Sequence, residues 1–463
     1  MAEAKKDKTL AEIVAEFITS QKYEDLPPAI TEHLKHYVVD LVGCTVGASR
    51  EHQLLDLIDF VKSEGGNENS SVFAHGFKTS CMNAALANGT MGHAFDFDDD
   101  HREGTMHPTV AVMPGVFALG EKIGASGKDF VRALILGLEV MIRVGESFQG
   151  KTYYQGFHPT GTCGVFGSAA ACAAILGLDT KQTTYALGLA GSFAAGLLEW
   201  RTEGSWQKPL QAGHPAMMGV LAARLAQKNY IGARTIFDGP DGFIRAYSFQ
   251  DIYDYSRITG TLGQKWEMDE TSIKVHACCR FGAPLADCAL DLYQQGVRAK
   301  DVEKILTKVG DFTIRVLATP REPKVRPVTH VDAKFSLPYT VAVALVKNRT
   351  GIEEFKEEVL RDPEVLSLID KISWELDPEA EKFYPKAYPA TVIATMKDGK
   401  TYEAHVDFPK GDPENPATIE EIVDKFNLLT EKFYDRDRRE RVVDKILKID
   451  TLDNIAEVGD LLR

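Results

Sequence analysis

Residues 93–108, "HAFDFDDDHREGTMHP", place five carboxylates and three histidines within sixteen positions. Side chains that titrate or bind cations rarely crowd so densely on a plain surface loop. If the segment were helical, Asp96 and Asp100 would share one face at i, i+4, with Asp99 beside them. Like charges at that spacing raise one another's pKa and give a group able to hold or pass a proton near neutrality. The stretch therefore predicts an acid/base site or a cation-binding site.

Three other interpretations of these carboxylates compete with an acid/base site. A Mg²⁺–diphosphate site, as in helical prenyl-transfer enzymes, needs a second acidic motif, and no convincing one is present. A His/Asp metallophosphohydrolase needs an adjacent His-Asp doublet, whereas the order here is Asp100-His101. Capping of a loop or of the following helix remains open for Asp98 and Asp99. Because no closed Cys/His ligand set is visible, we predict no metal at this site.

Three of the twelve histidines directly precede proline: His107, His158 and His214. Proline pushes the preceding residue out of the α region, so each histidine is expected at the loop mouth before a helix. There an imidazole can point into a cavity instead of packing along a helix side. One such pair is most simply an accident of a helix start, but three in the same part of the chain favour acid/base chemistry.

Two lysines and two cysteines also occur in distinctive surroundings. Lys208 in "EGSWQKPLQAGHP" precedes a proline and lies near glycines, which predicts a constrained loop. Lys274 in "SIKVHACCRFG" lies six residues before Arg280. A carboxylate substrate would need local cations such as these, because the formal net charge of the chain is −14. Cys278 and Cys279 show no neighbouring base, so a packing role is favoured over a nucleophilic one.

The pattern of elements predicts a mostly α fold: a large all-helical domain built from both chain ends plus a smaller α+β lid domain. Residues 1–270 repeat a cap, an apolar stripe at helical spacing and a glycine, with small residues concentrated over 162–226. Beyond 270, "VEKILTKVGDFTIRVLAT" and "ATVIATMKDGKTYEAHVDFP" carry β-branched runs, and Asp398-Gly399 is a hairpin signal. We predict a helical domain over 1–270 and 411–463 and a lid over 271–410.

Composition and charge exclude several classes of protein. A chain of 463 residues exceeds what one core supports, so two or more domains are expected. The net charge of −14 argues against a nucleic-acid or anionic-membrane partner. The N-terminal stretch lacks an apolar signal region, and the apolar runs fall short of the roughly 20 residues that a spanning helix needs. The seven cysteines form no CxxC pair, which favours reduced thiols in the cytoplasm.

Several motifs, in order, resemble those of the MmgE/PrpD family, the 2-methylcitrate dehydratase-like proteins. They are "NGTMGHAFDFDDDHREGTMHPTVAVMPGVFALGE", "GFHPTGTCGVFGSAAA", "GSWQKPLQAGHPA", "IKVHACCRF" and "DAKFSLPYTVAVAL", which together span essentially the whole chain. The resemblance implies the two-domain architecture above, a homodimer, and an active site between the domains without metal or organic cofactor. Carried over by motif, the pocket contains a set of six residues: Asp96, His107, His158, Lys208, Lys274 and Tyr339.

The sequence departs from the decarboxylase-like members of that family at two positions. Asp100 stands where those members have threonine, and Asp96 and His107 are separated by one residue more. Cys279 stands where the decarboxylase branch has a histidine thought to be catalytic. Both departures disfavour decarboxylation of cis-aconitate, and we count Asp100 and Cys279 among the residues expected to contact substrate.

The resemblance implies chemistry at a carbon next to a carboxylate, on a small di- or tricarboxylate. The leading hypothesis is a cofactor-independent lyase that dehydrates a 2-methylcitrate-like hydroxy acid; decarboxylation, epimerisation and a non-catalytic binding homologue remain alternatives. Removing the α proton adds negative charge to an anion, so cations must stabilise it. Lys208, Lys274 and Arg280 are expected to hold carboxylates. The remaining roles are proton transfer by His107, His158 and Tyr339, and orientation of His107 by Asp96.

Overall fold

The computed structural model describes residues 8–463, apart from the side chains of Thr202 and Glu203. The described chain is 59% helical and 9% strand, which confirms the predicted mostly α class with a small α+β part. The first seven residues of the N-terminal stretch considered above lie outside the described range. Among the described residues, twelve α-helices precede residue 271: α1 Leu10–Ser20, α2 Pro28–Ala48, α3 His52–Glu64, α4 Cys81–His93, α5 Pro108–Ile123, α6 Gly127–Glu146, α7 Pro159–Ile175, α8 Thr180–Ala190, α9 Trp200–Glu203, α10 Gln207–Gln227, α11 Phe243–Tyr247 and α12 Ser256–Thr259.

The later part of the chain mixes helices and strands before it returns to helix. Its helices are α13 Ala283–Gln294, α14 Asp311–Leu317, α15 Arg321–Val325, α16 His330–Lys334, α17 Leu337–Lys347, α18 Glu357–Leu360, α19 Pro363–Ile369, α20 Pro378–Glu381, α21 Ile419–Thr430, α22 Arg436–Leu447 and α23 Ala456–Leu462. The strands are β1 Ser70–Val72, β2 Phe77–Thr79, β3 Asp100–His101, β4 Thr271–Ser272, β5 Val302–Val309, β6 Ile372–Leu376, β7 Ala390–Met396 and β8 Thr401–Val406.

Proline starts several helices, as predicted, but not all of those expected. Helices α5 and α7 begin at Pro108 and Pro159, directly after His107 and His158, which serve as their N-caps in extended conformation. The third pair was predicted wrongly, because His214-Pro215 lies inside α10. A proline within a helix loses one backbone hydrogen bond, and burial of Pro215 in the bundle compensates for that loss.

Small residues allow the central helices to approach closely, as the sequence predicted. A Cβ atom added at Gly115 of α5 would lie 2.6 Å from the carbonyl oxygen of Ala216 in α10. One added at Gly164 of α7 would lie 2.7 Å from Ala111 of α5. Any larger side chain at these contacts would push the helices apart, so the glycines fix the spacing of the helices that carry the site.

A four-stranded sheet in the order β6-β5-β7-β8 forms the β part of the later region. Strands β7 and β8 are antiparallel and joined at the predicted turn, where Gly399 has a φ of 86°. The run "DFTIRVL", which follows β5 and is also β-branched, forms helix α14 instead. Phe312, Val316 and Leu317 of this run are buried at helical spacing, and that packing overrides its β propensity.

The C-terminal helices return to the N-terminal region. The main chain of α21 lies against α2, and a Cβ added at Gly43 would come within 3.2 Å of the Cα of Phe426. Both ends of the chain therefore contribute to one helical assembly, while the exact domain boundaries stay a prediction. All seven cysteines are buried and free. No helix over residues 8–463 combines the length and the apolar character that crossing a membrane requires.

Candidate active site

The acidic stretch is a loop between two helices and not a helical face. Helix α4 ends at His93, and α5 begins at Pro108. Asp96 has a φ of 53°, a left-handed conformation that aspartate tolerates better than most residues. Asp100 lies in β3, which pairs with β4 and so fastens the loop to residues 271–272. The predicted sharing of a helix face by Asp96 and Asp100 was wrong.

Asp96 is held by the two lysines that the sequence singled out. Its Oδ1 accepts hydrogen bonds from Lys208 Nζ at 2.8 Å and from Lys274 Nζ at 2.9 Å, and its carbonyl oxygen also accepts from Lys274 at 2.8 Å. Burial acts to raise the pKa of Asp96, but the two ammonium groups outweigh it, and the net pKa lies well below the usual range. The Asp96 carboxylate is therefore ionised, and the three groups form a buried cluster with one excess positive charge.

Lys208 reaches this cluster from the first turn of α10 and not from the constrained loop that was predicted. A proline at position 209 is compatible with this turn, because the first N–H groups of a helix lack intrahelical acceptors. The Lys208 ammonium lies 5.7 Å from the ring centre of Trp200 and 5.9 Å from that of Phe335. These rings restrict the lysine stem and keep its charge directed at Asp96.

His107 lies beside this cluster with one ring nitrogen fixed. Its Nδ1 is 2.8 Å from the carbonyl oxygen of Asp99, so Nδ1 donates and the neutral ring has its lone pair on Nε2. Nε2 is 3.5 Å from Asp96 Oδ1. The side chain is 12% exposed, more than Lys208 or Lys274, the two lysines that contact Asp96. His107 can therefore take up and release a proton at Nε2.

His93 is part of the same cluster, although it is not among the predicted site residues. Its Nδ1 is 2.9 Å from Asp98, and its Nε2 accepts from Lys208 Nζ at 2.9 Å. Burial lowers the pKa of His93 to about 4, so the ring is neutral and orients the lysine. Its position at the end of α4, within the acidic stretch, was the only signal in the sequence.

His158 completes a row of three imidazole rings. Its Nδ1 is 2.8 Å from Gln211 Oε1, which leaves Nε2 as the free nitrogen. The ring centre of His93 lies 4.5 Å from that of His107 and 6.0 Å from that of His158. Burial holds the pKa of His158 well below its ordinary value, so this ring is neutral at pH 7. The structure thus brings two of the three His-Pro histidines together.

Of the two residues for which capping was left open, Asp99 caps the start of α5, whereas Asp98 contacts the side chains of His93 and His107. Asp98 binds the Nδ1 atom of His93, and Asp99 accepts hydrogen bonds from the backbone N–H, at 3.3 Å, and the hydroxyl of Thr109 at the start of α5. Burial raises the pKa of Asp99 well above its usual range. These two residues shape the loop and orient the histidines.

Asp100 and Arg280 belong to a second network beside the lysine cluster. Arg280 Nε lies 3.1 Å from Asp100 Oδ1, and another of its nitrogens contacts Asp412. Asp412 also accepts from Ser272 at 2.7 Å, which joins this network to β4. The Arg280 charge is thus already balanced by protein carboxylates, and its predicted role as a substrate cation gains no support from these contacts.

The two remaining predicted residues are placed differently from each other. Cys279 is buried near the lysine cluster; burial, then the Asp96 charge, raises the pKa of its thiol to about 11, so the thiol is neutral. Tyr339 is buried in α17, and its hydroxyl donates to the carbonyl oxygen of Glu354 at 2.7 Å. Tyr339 makes no hydrogen bond or ion pair to Asp96 or the histidines in the described part of the chain.

Two adjacent cavities that share lining residues lie between the surface and the cluster. The outer cleft has a volume of about 700 Å³ and lies between residues 51–53 and 94–95 on one side and residues 329–358 on the other. The inner cavity, of about 30 Å³, reaches His93, Asp96 and Lys208. Lys334 and Trp206 line both cavities. The site therefore opens toward the cleft between the helical region and the predicted lid.

Four of the clustered side chains could also approach a metal ion. One ligand atom from each of His93, Asp96, Asp98 and His107 lies within 4.8 Å of the others. The donor chemistry does not favour a cation here, because Lys208 Nζ already contacts both His93 Nε2 and Asp96. A metal ion at that point would have to displace an ammonium group that carries the same sign of charge.

Comparison with known families agrees with this architecture. Residues 12–256 match the MmgE/PrpD N-terminal domain, and residues 276–449 match the MmgE/PrpD C-terminal domain. Together the two matches cover most of the chain. The protein belongs to the MmgE/PrpD family, as its sequence motifs indicated.

Similar proteins within this family carry two different activities in their names. A cis-aconitate decarboxylase-like protein, oryM, of Aspergillus oryzae is 28% identical, over 96% of this chain and 95% of its own. The cis-aconitate decarboxylase of Mus musculus is 26% identical, over 98% and 94%. The 2-methylcitrate dehydratase of Escherichia coli is 23% identical, over 60% and 59%. Because these relatives have different activities, similarity alone does not identify the reaction of this protein.

Proposed function

We propose that this protein is a cofactor-independent lyase that acts at the carbon next to a carboxylate of a small di- or tricarboxylic acid. Its leading reaction is dehydration of a 2-methylcitrate-like hydroxy acid. The observation that carries the proposal is the buried cluster of ionised Asp96, Lys208 and Lys274 beside the free Nε2 of His107. This arrangement combines excess positive charge with a group that can move a proton.

The electrostatics of the cluster suit an anionic transition state. When a proton leaves the carbon next to a carboxylate, negative charge spreads onto the carboxylate oxygens. Fixed cations in a site that excludes water stabilise that charge more than they stabilise the ground state. Lys208 and Lys274 are held in place by Asp96 and need no reorganisation when the charge develops.

One histidine can carry out both proton transfers of a dehydration. His107 Nε2 accepts the α proton, the C–O bond to the adjacent hydroxyl breaks, and the same nitrogen returns a proton to the departing oxygen, so that water leaves. His158 is a second neutral imidazole, but burial holds its pKa well below the ordinary value and makes it the weaker base, and His93, between them, positions Lys208. General acid–base catalysis of this kind contributes roughly 10²–10⁴-fold to a rate.

Decarboxylation of a cis-aconitate-like acid is the second candidate. Its support is the similarity to cis-aconitate decarboxylases along nearly the whole length of both chains. In that reaction CO₂ leaves and His107 would deliver a proton to the same carbon. Cys279 weighs against it, because a thiol whose pKa burial raises to about 11 is a weaker acid than the histidine of the decarboxylase branch.

The two candidates are separated by identifying the product. The purified protein would be incubated with a panel of hydroxy- and unsaturated di- and tricarboxylates, with and without EDTA, and followed by proton and carbon NMR. We expect new olefin signals with all carboxyl carbons retained, and no effect of EDTA. Loss of one carboxyl carbon would establish decarboxylation instead, while abolition by EDTA with rescue by Mg²⁺ or Zn²⁺ would show that the acidic stretch binds metal.

A further inference from the structure

Within the described residues 8–463, Lys334 is a buried cation without a carboxylate partner. Four lysines are buried among residues 8–463, and three of them, Lys35, Lys208 and Lys274, form ion pairs with carboxylates. The fourth, Lys334, is 4% exposed, and its ammonium donates to the carbonyl oxygen of Phe95. Charged side chains are rarely buried unless they are paired. The Lys334 ammonium group can therefore form an ion pair with an anion that is not part of the chain.

Lys334 lies between the outer cleft and the cluster of Asp96, Lys208 and Lys274. Lys334 ends α16, and its carbonyl oxygen accepts from the N–H of Cys279 at 2.9 Å, which fixes its backbone beside the site. Its side chain crosses to the loop that follows α4, where Phe95 and Asp96 lie. It lines both the outer cleft and the inner cavity, and therefore lies where the two cavities meet.

The volumes of the two cavities show where a polycarboxylate has to lie. The inner cavity of about 30 Å³ has room for a water molecule or two, whereas the outer cleft of about 700 Å³ accommodates a whole organic acid. An acid whose reacting carbon approaches Asp96 and Lys208 must extend through the junction into the cleft. A carboxylate at its far end then meets the Lys334 ammonium.

We propose that Lys334 binds a second, non-reacting carboxylate of the substrate and so selects acids with at least two carboxylates. This rests on the proposed function, because it assumes that the reacting end occupies the cluster around Asp96. Lys208 and Lys274 already share their charge with Asp96, and Lys334 supplies the unshared positive charge for the distal group. Lys334 is then a specificity-determining residue contributed by the predicted lid.

The protonation of Lys334 provides a readout that a structural role would not change. Burial lowers the pKa of Lys334 to about 8, with the neighbouring Lys274 and Lys208 also lowering it and Asp96 opposing. A carboxylate that binds there stabilises the ammonium form and raises its pKa. Binding above about pH 8 must therefore take up a proton, and affinity must fall as the pH rises through that value.

Lys324 is a matched control for this lysine. Burial likewise lowers its pKa to about 8, and its ammonium likewise donates to a backbone carbonyl, that of Phe335, at 2.7 Å. It lines a different cavity, with Arg201, Arg315 and Pro320. Lys324 is half-buried, and replacing it with methionine removes a lysine charge of similarly lowered pKa without touching the cleft.

The experiment is calorimetric titration with propane-1,2,3-tricarboxylate, a tricarboxylate that has no hydroxyl group to lose. Wild type and the Lys334→Met, Lys334→Arg and Lys324→Met variants would be compared in two buffers of different ionisation enthalpy, from about pH 6.5 to 9.5. We expect Lys334→Met to lose about 10- to 100-fold in affinity and to lose the proton uptake, as removal of a charge-assisted hydrogen bond predicts. Lys334→Arg should regain most of the affinity, and Lys324→Met should match wild type.

The outcomes separate this proposal from the proposed function. If wild type binds the tricarboxylate and Lys334→Met binds it equally well, with unchanged proton uptake, the role of Lys334 is refuted while the proposed function stands. If wild type binds neither this acid nor succinate, the proposed function itself fails. Equal losses in Lys334→Met and Lys324→Met would assign the effect to general loss of buried charge, and the proposal would again be overturned.

Discussion

At the scale of single residues, the sequence identified the groups that carry unusual local signals. His107 and His158 were recognisable because proline follows each of them, and Asp96 because acids crowd around it. His93 opens the same acidic stretch but was not selected from it, and Lys334, a lysine in a short helix, carries no such signal. Their importance comes from burial and from partners that are distant along the chain, such as Lys208 and Phe95. Spacing within one segment cannot reveal such contacts.

His107 gives the first prediction at this scale. His107→Gln should lower kcat by roughly 10²–10⁴-fold, because the variant keeps a polar group but cannot accept and return a proton. Steady-state kinetics and a melting curve would be measured together, with His214→Gln as the control, since His214 also precedes proline but lies inside α10. A His107→Gln enzyme with near-normal kcat, or a loss fully explained by unfolding, would remove His107 from the mechanism.

Glu146 gives a pH prediction that does not depend on substrate. Burial, and next the charge of Glu267, raise the pKa of Glu146 to about 8, and its Oε1 lies 3.8 Å from His101 Nε2. A carboxyl group whose pKa is higher in the folded state stabilises the fold fully below about pH 4.5, and that contribution is lost as the pH rises through 8. Glu146→Gln, which cannot ionise, should therefore melt higher than wild type at about pH 9.

The measurement is the melting temperature of Glu146→Gln and wild type across about pH 5–9, with the exposed Glu64→Gln as control. The difference between Glu146→Gln and wild type should grow with pH, while Glu64→Gln should follow wild type throughout. A constant difference across the range would mean that Glu146 does not change its protonation state there.

At the scale of elements, the most reliable sequence signals were those that depend on interactions between residues close together in the chain. Proline at a helix start and Asp398-Gly399 at a hairpin act within a few residues, and both were confirmed. Three predictions failed where tertiary packing decides: "DFTIRVL" became helix α14, Pro215 lies within α10, and Lys208 lies in a helical turn and not in a loop. The pairing of β3 with β4 joins residues about 170 positions apart and has no signal in either segment.

The prediction at this scale concerns Lys425 of helix α21, which holds two backbone segments of the site in place. Its ammonium contacts Asp40 Oδ1 at 2.6 Å and the carbonyl oxygens of Phe97 at 2.6 Å and Lys274 at 2.8 Å. Lys425→Met would leave Asp40 buried without its partner, which typically costs about 3–5 kcal/mol. We expect a loss of unfolding free energy of that size in urea titrations.

The double variant Asp40→Asn/Lys425→Met tests the cause of that loss. Removing the orphaned charge should restore much of the stability while the loops around Phe97 and Lys274 stay less firmly held. If the single variant is as stable as wild type, or if the double variant is less stable than the single one, Lys425 does not act by balancing Asp40.

At the scale of the whole molecule, the predicted mostly α architecture and the family are confirmed, and the details of assembly remain predictions. Both chain ends enter one helical assembly through the contact of α2 with α21, and the sheet of β5–β8 lies in the later region. The homodimer implied by the family resemblance stays a prediction. With a net charge of −14, the anionic substrate proposed above would be attracted only locally, by the buried lysines.

We propose that this molecule moves a proton at the carbon next to a carboxylate, and hydrogen exchange in D₂O tests this activity most directly. Each acid of the panel would be incubated with enzyme in D₂O and examined by proton and deuterium NMR for label at that carbon. We predict solvent deuterium at the α carbon of at least one di- or tricarboxylate, by reversal of dehydration or in the product of decarboxylation, and a rate reduced by orders of magnitude in His107→Gln. A decarboxylated product without deuterium at that carbon, or neither exchange nor turnover with any acid of the panel, would contradict the account.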